Sequence, residues 1–191
     1  WRDWSSDVCS SDLIITNLIK VLGCGVEVKS KANKGLATFD LSALRWNKVI
    51  ICTDADVDGF QIRTLILTMI YRLMPTLINE GKIYIAETPL YEIGTKDMTY
   101  FAYDEKEKND ILGKIGDGKY TIQRSKGLGE NQPDMMNLTT MNPETRRLIK
   151  VMPQDAERTS QMFDLLLGDD LQGRKDFIAE NGYMYLDEAD L

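Results

Sequence analysis

The sequence contains no histidine among its 191 residues. Histidine is the side chain whose charge changes most readily near neutral pH, and it is a common ligand of metals. Its absence excludes a serine–histidine–aspartate triad, a histidine-ligated metal and a histidine general base within this sequence. Any acid–base chemistry must therefore use carboxylates, lysines or tyrosines.

Cysteines and long apolar runs are also scarce. The three cysteines, Cys9, Cys24 and Cys52, form no CxxC pair, so the sequence gives no zinc signature and fits a reducing cytosol. No apolar run approaches the roughly 20 residues that a membrane span needs. No Walker-type phosphate loop occurs, so we do not expect this chain to hydrolyse ATP by itself. These absences predict a cytoplasmic protein that does not bind a membrane.

The net charge of −7 argues at first against nucleic acid as a partner. The acidity is concentrated in residues 153–191, which carry ten acidic and three basic side chains, so residues 1–152 carry 20 of each sign. Within 114–150, seven basic side chains outnumber four acidic ones. The part before the tail can therefore meet a polyanion. For the acidic helices predicted in the tail, we favour a solvated face over contact with a partner subunit.

Residues 1–13, WRDWSSDVCSSDL, differ from everything that follows. They hold two of the three tryptophans and two SSD triplets, show no helical or strand period, and lack the regions of a signal peptide. The segment resembles translated sequencing-adapter read-through. We interpret it as a non-native leader and exclude it from the reasoning about the fold.

From Ile14 onward the pattern predicts an α/β fold. A helix over 14–22 precedes KVIICT (48–53), an apolar run typical of a strand buried on both faces. A long helix after Gly59 has a break at Pro75 and an end at Gly81, and KIYIAE (82–87) is the next strand. This strand–helix–strand order predicts a parallel sheet with a right-handed crossover.

Further elements are predicted along the rest of the chain. The region between the first helix and the first strand reads as loop with a short helical turn, and the chain beyond residue 126 reads as helical. The remaining strands and helices are PLYEI (89–93), MTYFAYD (98–104), EKEKNDILGKI (105–115), KYTIQR (119–124), 154–167 and 171–180.

Three aspartates, Asp54, Asp56 and Asp58, stand at alternate positions in TDADVDG (53–59). An EF-hand loop would need a bidentate glutamate at its twelfth position, where this chain has Leu65, and a helix before it. A solvated acidic turn that caps the next helix would explain one or two of the carboxylates. A divalent metal site would explain all three, because alternate side chains of an extended chain point the same way and would converge. The cation would then relieve their repulsion.

Seven blocks in order carry a resemblance to a known family. They are LGCG (22–25), TDADVDG (53–59), IRTL (62–65), YIAETPLY (84–91), QRSKGLGE (123–130), TTMNPETRRL (139–148) and LLLGDDLQGRKDFIAEN (165–181). Together they resemble the B subunit of bacterial type IIA topoisomerases, DNA gyrase and topoisomerase IV. The resemblance implies a Toprim, Rossmann-like parallel sheet flanked by helices over 14–115, without its first strand and glutamate, and a mostly helical C-terminal tail over 116–191.

The resemblance also implies a mechanism and a metal site. A tyrosine of the partner A subunit attacks double-stranded DNA, so no catalytic residue of that step lies in this chain. Asp54 would be the shared ligand of two Mg²⁺ positions, Asp56 would ligate the second, and Asp58 would support the site; Mn²⁺ or Ca²⁺ would substitute in binding. The parent would be a nucleoid-associated, ATP-hydrolysing heterotetramer of A and B subunits, and the isolated fragment would be inactive.

Four residues are implied DNA contacts: Gln61, Arg63, Arg124 and Lys126. Arg63 lies one turn along the helix after the aspartates, and Lys126 lies in KGLGE, whose glycines allow close backbone approach. The same KGLGE stretch also reads as a plain turn that opens a helix.

Three departures from the family pattern keep alternatives open. The E-G-D-S-type glutamate motif is absent, Phe60 and Gln61 stand where the family often has Ser-His, and no ATP-binding segment is present. One alternative is a non-catalytic or vestigial metal- or DNA-binding module. Another is a different Toprim enzyme, such as a primase or an OLD-type nuclease, although those lack the KGLGE and TTMNPETRRL blocks.

Overall fold

The computed structural model describes residues 13–28, 36–125, 127–153 and 156–185. Lys126 and nearly all of the predicted leader lie outside the described residues. In chain order the helices are α1 (Leu13–Leu22), α2 (Val57–Leu73), α3 (Pro75–Asn79), α4 (Glu105–Ile115), α5 (Pro133–Met136), α6 (Ala156–Leu167) and α7 (Leu171–Asn181). The strands are β1 (Val49–Ile51), β2 (Ile83–Ala86), β3 (Tyr91–Thr95), β4 (Thr99–Ala102), β5 (Tyr120–Arg124) and β6 (Leu148–Lys150). Short 3₁₀ turns span Leu41–Ala43, Leu128–Glu130 and Gly182–Tyr185, and a π-helical turn spans Asn137–Met141.

The predicted break and end of the long helix are confirmed. Helix α2 ends at Leu73, Met74 leaves the helical conformation, and Pro75 is the first residue of α3. Proline is tolerated at this first position because the amide that it lacks would have no partner within the helix. Gly81 follows with φ 62°, the left-handed conformation that ends helices.

The strand–helix–strand prediction is confirmed, and the sheet it builds is mixed. Strand β1 pairs in parallel with β2, with Val49 opposite Ile83 and Ile51 opposite Ile85. The order is β1-β2-β6, and β6 runs antiparallel to β2. The prediction of helix throughout the chain beyond residue 126 is wrong at β6, because Leu148, Ile149 and Lys150 pair with the far edge of β2.

A second, antiparallel sheet has the order β4-β3-β5. By contact the chain divides into two compact units, one made of 1–47, 68–81 and 152–191 and the other of 48–67 and 82–151. Both sheets belong to the second unit, where Ile83, Ile93 and Ala102 are fully buried. In the first unit the core includes Ile70, Leu73, Met74 and Leu77. There Tyr71 of α2 stacks on Phe163 of α6 with ring centroids 4.6 Å apart.

Helix α4 is attached to strand β3 by a polar cluster. Tyr91 Oη donates a hydrogen bond to Glu105, Lys108 pairs with the same carboxylate, and the Lys108 ammonium lies 4.5 Å from the centroid of the Tyr91 ring. The bonds from Lys108 and then Tyr91 lower the pKa of Glu105. The bond to Glu105, followed by burial, raises the pKa of Tyr91.

This cluster predicts a loss of stability at both ends of the pH scale. A lowered pKa at Glu105 gives stability that is present above its ordinary value of 4.5 and is lost as the pH falls through the folded pKa. A raised pKa at Tyr91 gives stability that is present below 10.0 and is lost as the pH rises through the folded pKa. We expect Glu105→Gln to reduce the acid-side dependence, measured by urea unfolding from pH 3 to 11. A stability difference from wild type that stays constant between pH 3 and 6 would contradict the assignment to Glu105.

Candidate metal centre

Asp54 lies in the short segment between strand β1 and helix α2. Strand β1 ends at Ile51 and α2 begins at Val57, so the aspartate follows the carboxyl end of a strand that pairs in parallel. This is the edge at which α/β folds place their ligands. The half-buried carboxylate accepts a hydrogen bond through Oδ1 from the backbone N–H of Leu128, at 2.8 Å. The TDADVDG and KGLGE segments, 74 residues apart along the chain, therefore meet at Asp54.

Gly59 packs directly against the backbone of Asp54. A Cβ built at this glycine would lie 2.1 Å from the Asp54 carbonyl oxygen and 2.8 Å from its carbonyl carbon. Atoms do not approach this closely, so only glycine fits at the final position of TDADVDG. The glycine thereby lets the first turn of α2 lie against the chain that carries Asp54.

Asp56 and Asp58 have different surroundings from Asp54. Asp56 Oδ1 accepts a hydrogen bond from Gly59 N–H at 2.7 Å, and the Asp56 carbonyl accepts one from Phe60 N–H at 2.9 Å. This is the geometry of a helix N-cap, so the capping alternative holds for Asp56. Asp58 is exposed in the first turn of α2, where the positive end of the helix dipole favours a carboxylate.

The prediction that an extended chain makes the three aspartates converge is wrong. The extended conformation does not continue through Asp58, because α2 begins at Val57. Within the residues that the structure describes, no group of three histidine, cysteine or acidic side chains is arranged to hold a metal ion. Ligation of a cation by Asp54, Asp56 and Asp58 stays a prediction drawn from the family.

The surroundings of Asp54 nevertheless fit a hard divalent cation. A Cβ at Gly127 would contact the Asp54 carboxylate, at 3.5 Å from Oδ2 and 3.7 Å from Oδ1. Glycine at this position leaves open a space that any other side chain would fill. Carboxylate oxygens are the ligands that Mg²⁺ prefers. The Asp54 charge also reaches Cys52, whose thiol pKa is raised by burial and then by this carboxylate.

The predicted DNA contacts lie on separate elements. Gln61 is exposed on α2. Arg63, on the same helix, is half-buried and places its guanidinium carbon 4.7 Å from the centroid of the Phe60 ring. Burial lowers the pKa of Arg63 from its ordinary value of 12.5. The departure at Phe60 thus provides an aromatic surface for a cation.

Arg124 is the last residue of β5 and stands opposite Tyr91 in the register of the second sheet. Its charge helps to lower the pKa of Glu105, after the larger effects of Lys108 and Tyr91. Arg124 therefore has an acidic neighbour within the protein as well as its predicted role at DNA. Lys126 lies outside the described residues, and its role stays a prediction.

Two family models match consecutive parts of this chain. The model of the Toprim domain matches residues 6–88, and Toprim domains are generally Mg²⁺-binding. The protein is therefore of the Toprim class, with an α/β fold. The match begins inside the segment interpreted as a leader, and the origin of that segment stays a prediction. The model described as "DNA gyrase B subunit, carboxyl terminus" matches residues 117–179.

Curated relatives identify the family within that class. The DNA gyrase B subunit of Clostridium acetobutylicum is 51% identical over 145 residues, which are 75% of this chain and 23% of that protein. The DNA gyrase B subunit of Thermus thermophilus is 42% identical over 171 residues, and the DNA topoisomerase 4 B subunit of Bacillus subtilis is 41% identical over 178 residues. These matches cover 89% and 91% of this chain and 26% of each relative. The chain belongs to the family of type II topoisomerase B subunits and spans about a quarter of the length of these relatives.

Sequence reasoning missed the residues that hold Asp54 in place. Leu128 acts through its backbone N–H, which no side-chain pattern reveals. Gly59 and Gly127 act through the absence of a side chain. Their recurrence inside the two conspicuous motifs is the signal that could have suggested close backbone approach. The domain boundary near residue 115 stays a prediction, and no helix in the described ranges has the length and apolar character needed to cross a bilayer.

Proposed function

We propose that this chain supplies the divalent-cation part of the DNA cleavage and religation site of a type II topoisomerase. The observation that supports it most directly is the bond from Leu128 N–H to Asp54 Oδ1, which joins the acidic motif to the KGLGE motif. Both segments lie within family-model matches, the first in the Toprim domain and the second in the gyrase B carboxyl terminus. A carboxylate held between these two segments is a suitable ligand for Mg²⁺.

In this proposal the chain binds and orients, and it does not provide the nucleophile. Asp54 is the principal carboxylate, Asp56 is the second ligand, and Asp58 supports the site. A bound Mg²⁺ would supply electrostatic stabilisation of the charge that develops on the phosphate oxygens during phosphoryl transfer. Asp56 also fixes the start of α2 through its bond to Gly59 N–H, so its two roles share one side chain.

The proposed polyanionic substrate is double-stranded DNA, which Gln61, Arg63, Arg124 and Lys126 would contact at phosphates. The excess of basic residues in 114–150 supports this part of the proposal. The names of the relatives support the rest. A tyrosine of an A subunit would cut the DNA within a heterotetramer, ATP would bind the parent B subunit outside this chain, and the complex would work in the cytoplasm at the nucleoid.

A non-catalytic metal- or DNA-binding module is the second candidate. Two observations favour it: the described residues contain no three-carboxylate cluster, and the sequence contains no E-G-D-S motif. A different Toprim enzyme is disfavoured, because the match to the gyrase B carboxyl terminus covers 117–179.

Titration of the chain with Mn²⁺ tests the proposed metal site. Mn²⁺ accepts the same oxygen ligands as Mg²⁺ and broadens the NMR signals of nearby amides. We expect broadening around Asp54, Gly127 and Leu128, reversed by excess Mg²⁺. Asp54→Ala is expected to lower the Mn²⁺ affinity at least about tenfold, since even loss of a residue that supports a ligand costs 10–100-fold.

Asp110→Ala is the matched control, because it removes the same charge from an exposed position on α4. We expect this variant to bind Mn²⁺ as the wild type does. Equal affinity of the Asp54→Ala variant and the wild type would refute the metal assignment. Undetectable binding by the wild type would favour the vestigial alternative.

A further inference from the structure

The loop of residues 125–131, here the KGLGE loop, is tied down at both ends. Ser125 N–H donates to the Leu90 carbonyl at 2.8 Å, and Ser125 Oγ donates to Asn131 Oδ1 at 2.8 Å. Asn131 in turn donates through Nδ2 to the sulfur of Met136 at 3.6 Å. The Leu128 amide therefore projects from a loop whose ends are fixed by other bonds. It does not depend on Asp54 alone for its position.

The contact between this loop and Asp54 is selective for one carboxylate oxygen. Leu128 N–H donates to Oδ1 at 2.8 Å, and a bond from an amide to an ionised carboxylate is stronger than one between neutral groups. On the other oxygen, the closest approach of a Cβ built at Gly127 would be 3.5 Å from Oδ2. The loop thus binds Oδ1 through its backbone and, by lacking a side chain at 127, leaves Oδ2 approachable.

We propose that the KGLGE loop is a positioning element for Asp54, in addition to any contact it makes with DNA. The Leu128 amide fixes the carboxylate so that Oδ2 is the oxygen offered to the cation, and Gly127 keeps the approach to Oδ2 open. The inference rests on the proposed metal-binding function. It assigns Leu128 and Gly127 as positioning residues that act through Asp54. A loop that merely packs against the aspartate would not affect metal affinity through the amide alone.

Replacing Leu128 with proline removes the amide donor and leaves the rest of the backbone suited to its conformation. Leu128 is the first residue of its 3₁₀ turn, a position where proline is tolerated. Gly127 before it is extended, with φ −156° and ψ 155°, as a residue preceding proline should be. The control Leu128→Ala keeps the N–H and removes most of the side chain.

The two Leu128 variants should therefore differ in metal affinity. We expect Leu128→Pro to weaken Mn²⁺ binding about tenfold or more relative to Leu128→Ala, because partners that orient a ligand contribute 10–100-fold to affinity. Leu128→Ala should remain within about twofold of the wild type. Equal Mn²⁺ affinities of the proline and alanine variants would overturn the inference.

A second pair of variants tests the role of Gly127 without touching the amide. Gly127→Ala places a methyl group against the carboxylate, while Gly129→Ala, two residues along the same loop, places one where no atom lies within 4 Å. Both glycines have φ outside the left-handed region, so alanine fits either backbone. We expect only Gly127→Ala to weaken Mn²⁺ binding. Equal binding by the two variants would contradict the proposed open approach.

A measurement without metal separates this inference from the proposed function. The Leu128 amide should exchange more slowly in the wild type than in Asp54→Ala, with Asp110→Ala unchanged. Unchanged exchange in Asp54→Ala would overturn the positioning contact even if the wild type binds Mn²⁺. Absence of Mn²⁺ binding by the wild type would overturn the proposed function and the metal-positioning role together. Slowed exchange, Mn²⁺ binding and a weakened proline variant would support both.

Discussion

Replacing Gly59 with alanine is expected to destabilise the protein by about 3 kcal/mol, at the upper end of what an inserted methyl group costs in a packed interior. The added Cβ would stand 2.1 Å from the Asp54 carbonyl oxygen, 2.8 Å from its carbonyl carbon and 3.0 Å from its nitrogen. All three are backbone atoms, so no side-chain rotation can relieve the collision. Either the first turn of α2 or the chain that carries Asp54 must move.

The Gly59→Ala variant is also expected to lose Mn²⁺ binding, because the displaced segment includes the proposed ligand Asp54. Its amide is the donor to Asp56 Oδ1, so the cap of α2 would be disturbed by the same shift. Urea unfolding gives the stability, and Mn²⁺ broadening in the fraction that remains folded gives the affinity.

Gly113→Ala is the matched control for Gly59→Ala. Gly113 lies inside α4, and a Cβ built there meets no atom within 4 Å. Alanine is the better helix former, so this variant should be unchanged or more stable by about 0.5–1 kcal/mol. A Gly59→Ala variant as stable as Gly113→Ala would show that the contact with Asp54 is looser than the structure has it.

Local sequence patterns were sufficient to predict most helices and strands. The apolar run ending at Ile51, the helical spacing from Ile62 to Leu73 and the proline at 75 each act over a few residues, and each predicted element is confirmed. Strand β5 and helix α4 were likewise predicted to within a residue. Such features depend on backbone preference and on the period of burial, which are properties of a short stretch of chain.

The features that sequence reasoning missed depend on contacts between distant parts of the chain. Strand β6 has three residues, two of them exposed, and it is a strand because the edge of β2 pairs with it. The start of α2 at Val57 depends on Asp56 acting as a cap, although alternating aspartates equally suggested an extended chain. The contact between Leu128 and Asp54 joins two loops through a backbone amide, and no pattern of side chains encodes it. For the candidate site, sequence therefore identified Asp54 but not the residues that position it.

Ile83→Ala is expected to cost about 3–4 kcal/mol of stability, within the range measured for burial sites of this kind. Ile83 is 0% exposed in β2, the central strand of the β1-β2-β6 sheet, and stands opposite Val49 of β1. Truncation removes three carbon atoms from a packed interior and leaves a cavity beside the strand that leads to Asp54. The loss is measured by urea unfolding, with amide exchange in β1 as a local readout.

The comparison with Ile149→Ala tests whether burial causes this loss. Ile149 is 48% exposed on the edge strand β6 of the same sheet, so its truncation should cost less than about 1 kcal/mol. In both variants the main-chain bonds between strands remain, including the bond from Val151 N–H to the Ile83 carbonyl. The folded Ile83→Ala variant should therefore bind Mn²⁺ as the wild type does, whereas Gly59→Ala should not. Equal stability losses at Ile83 and Ile149 would contradict the buried position of β2, and loss of Mn²⁺ binding in folded Ile83→Ala would mean that the cavity reaches Asp54.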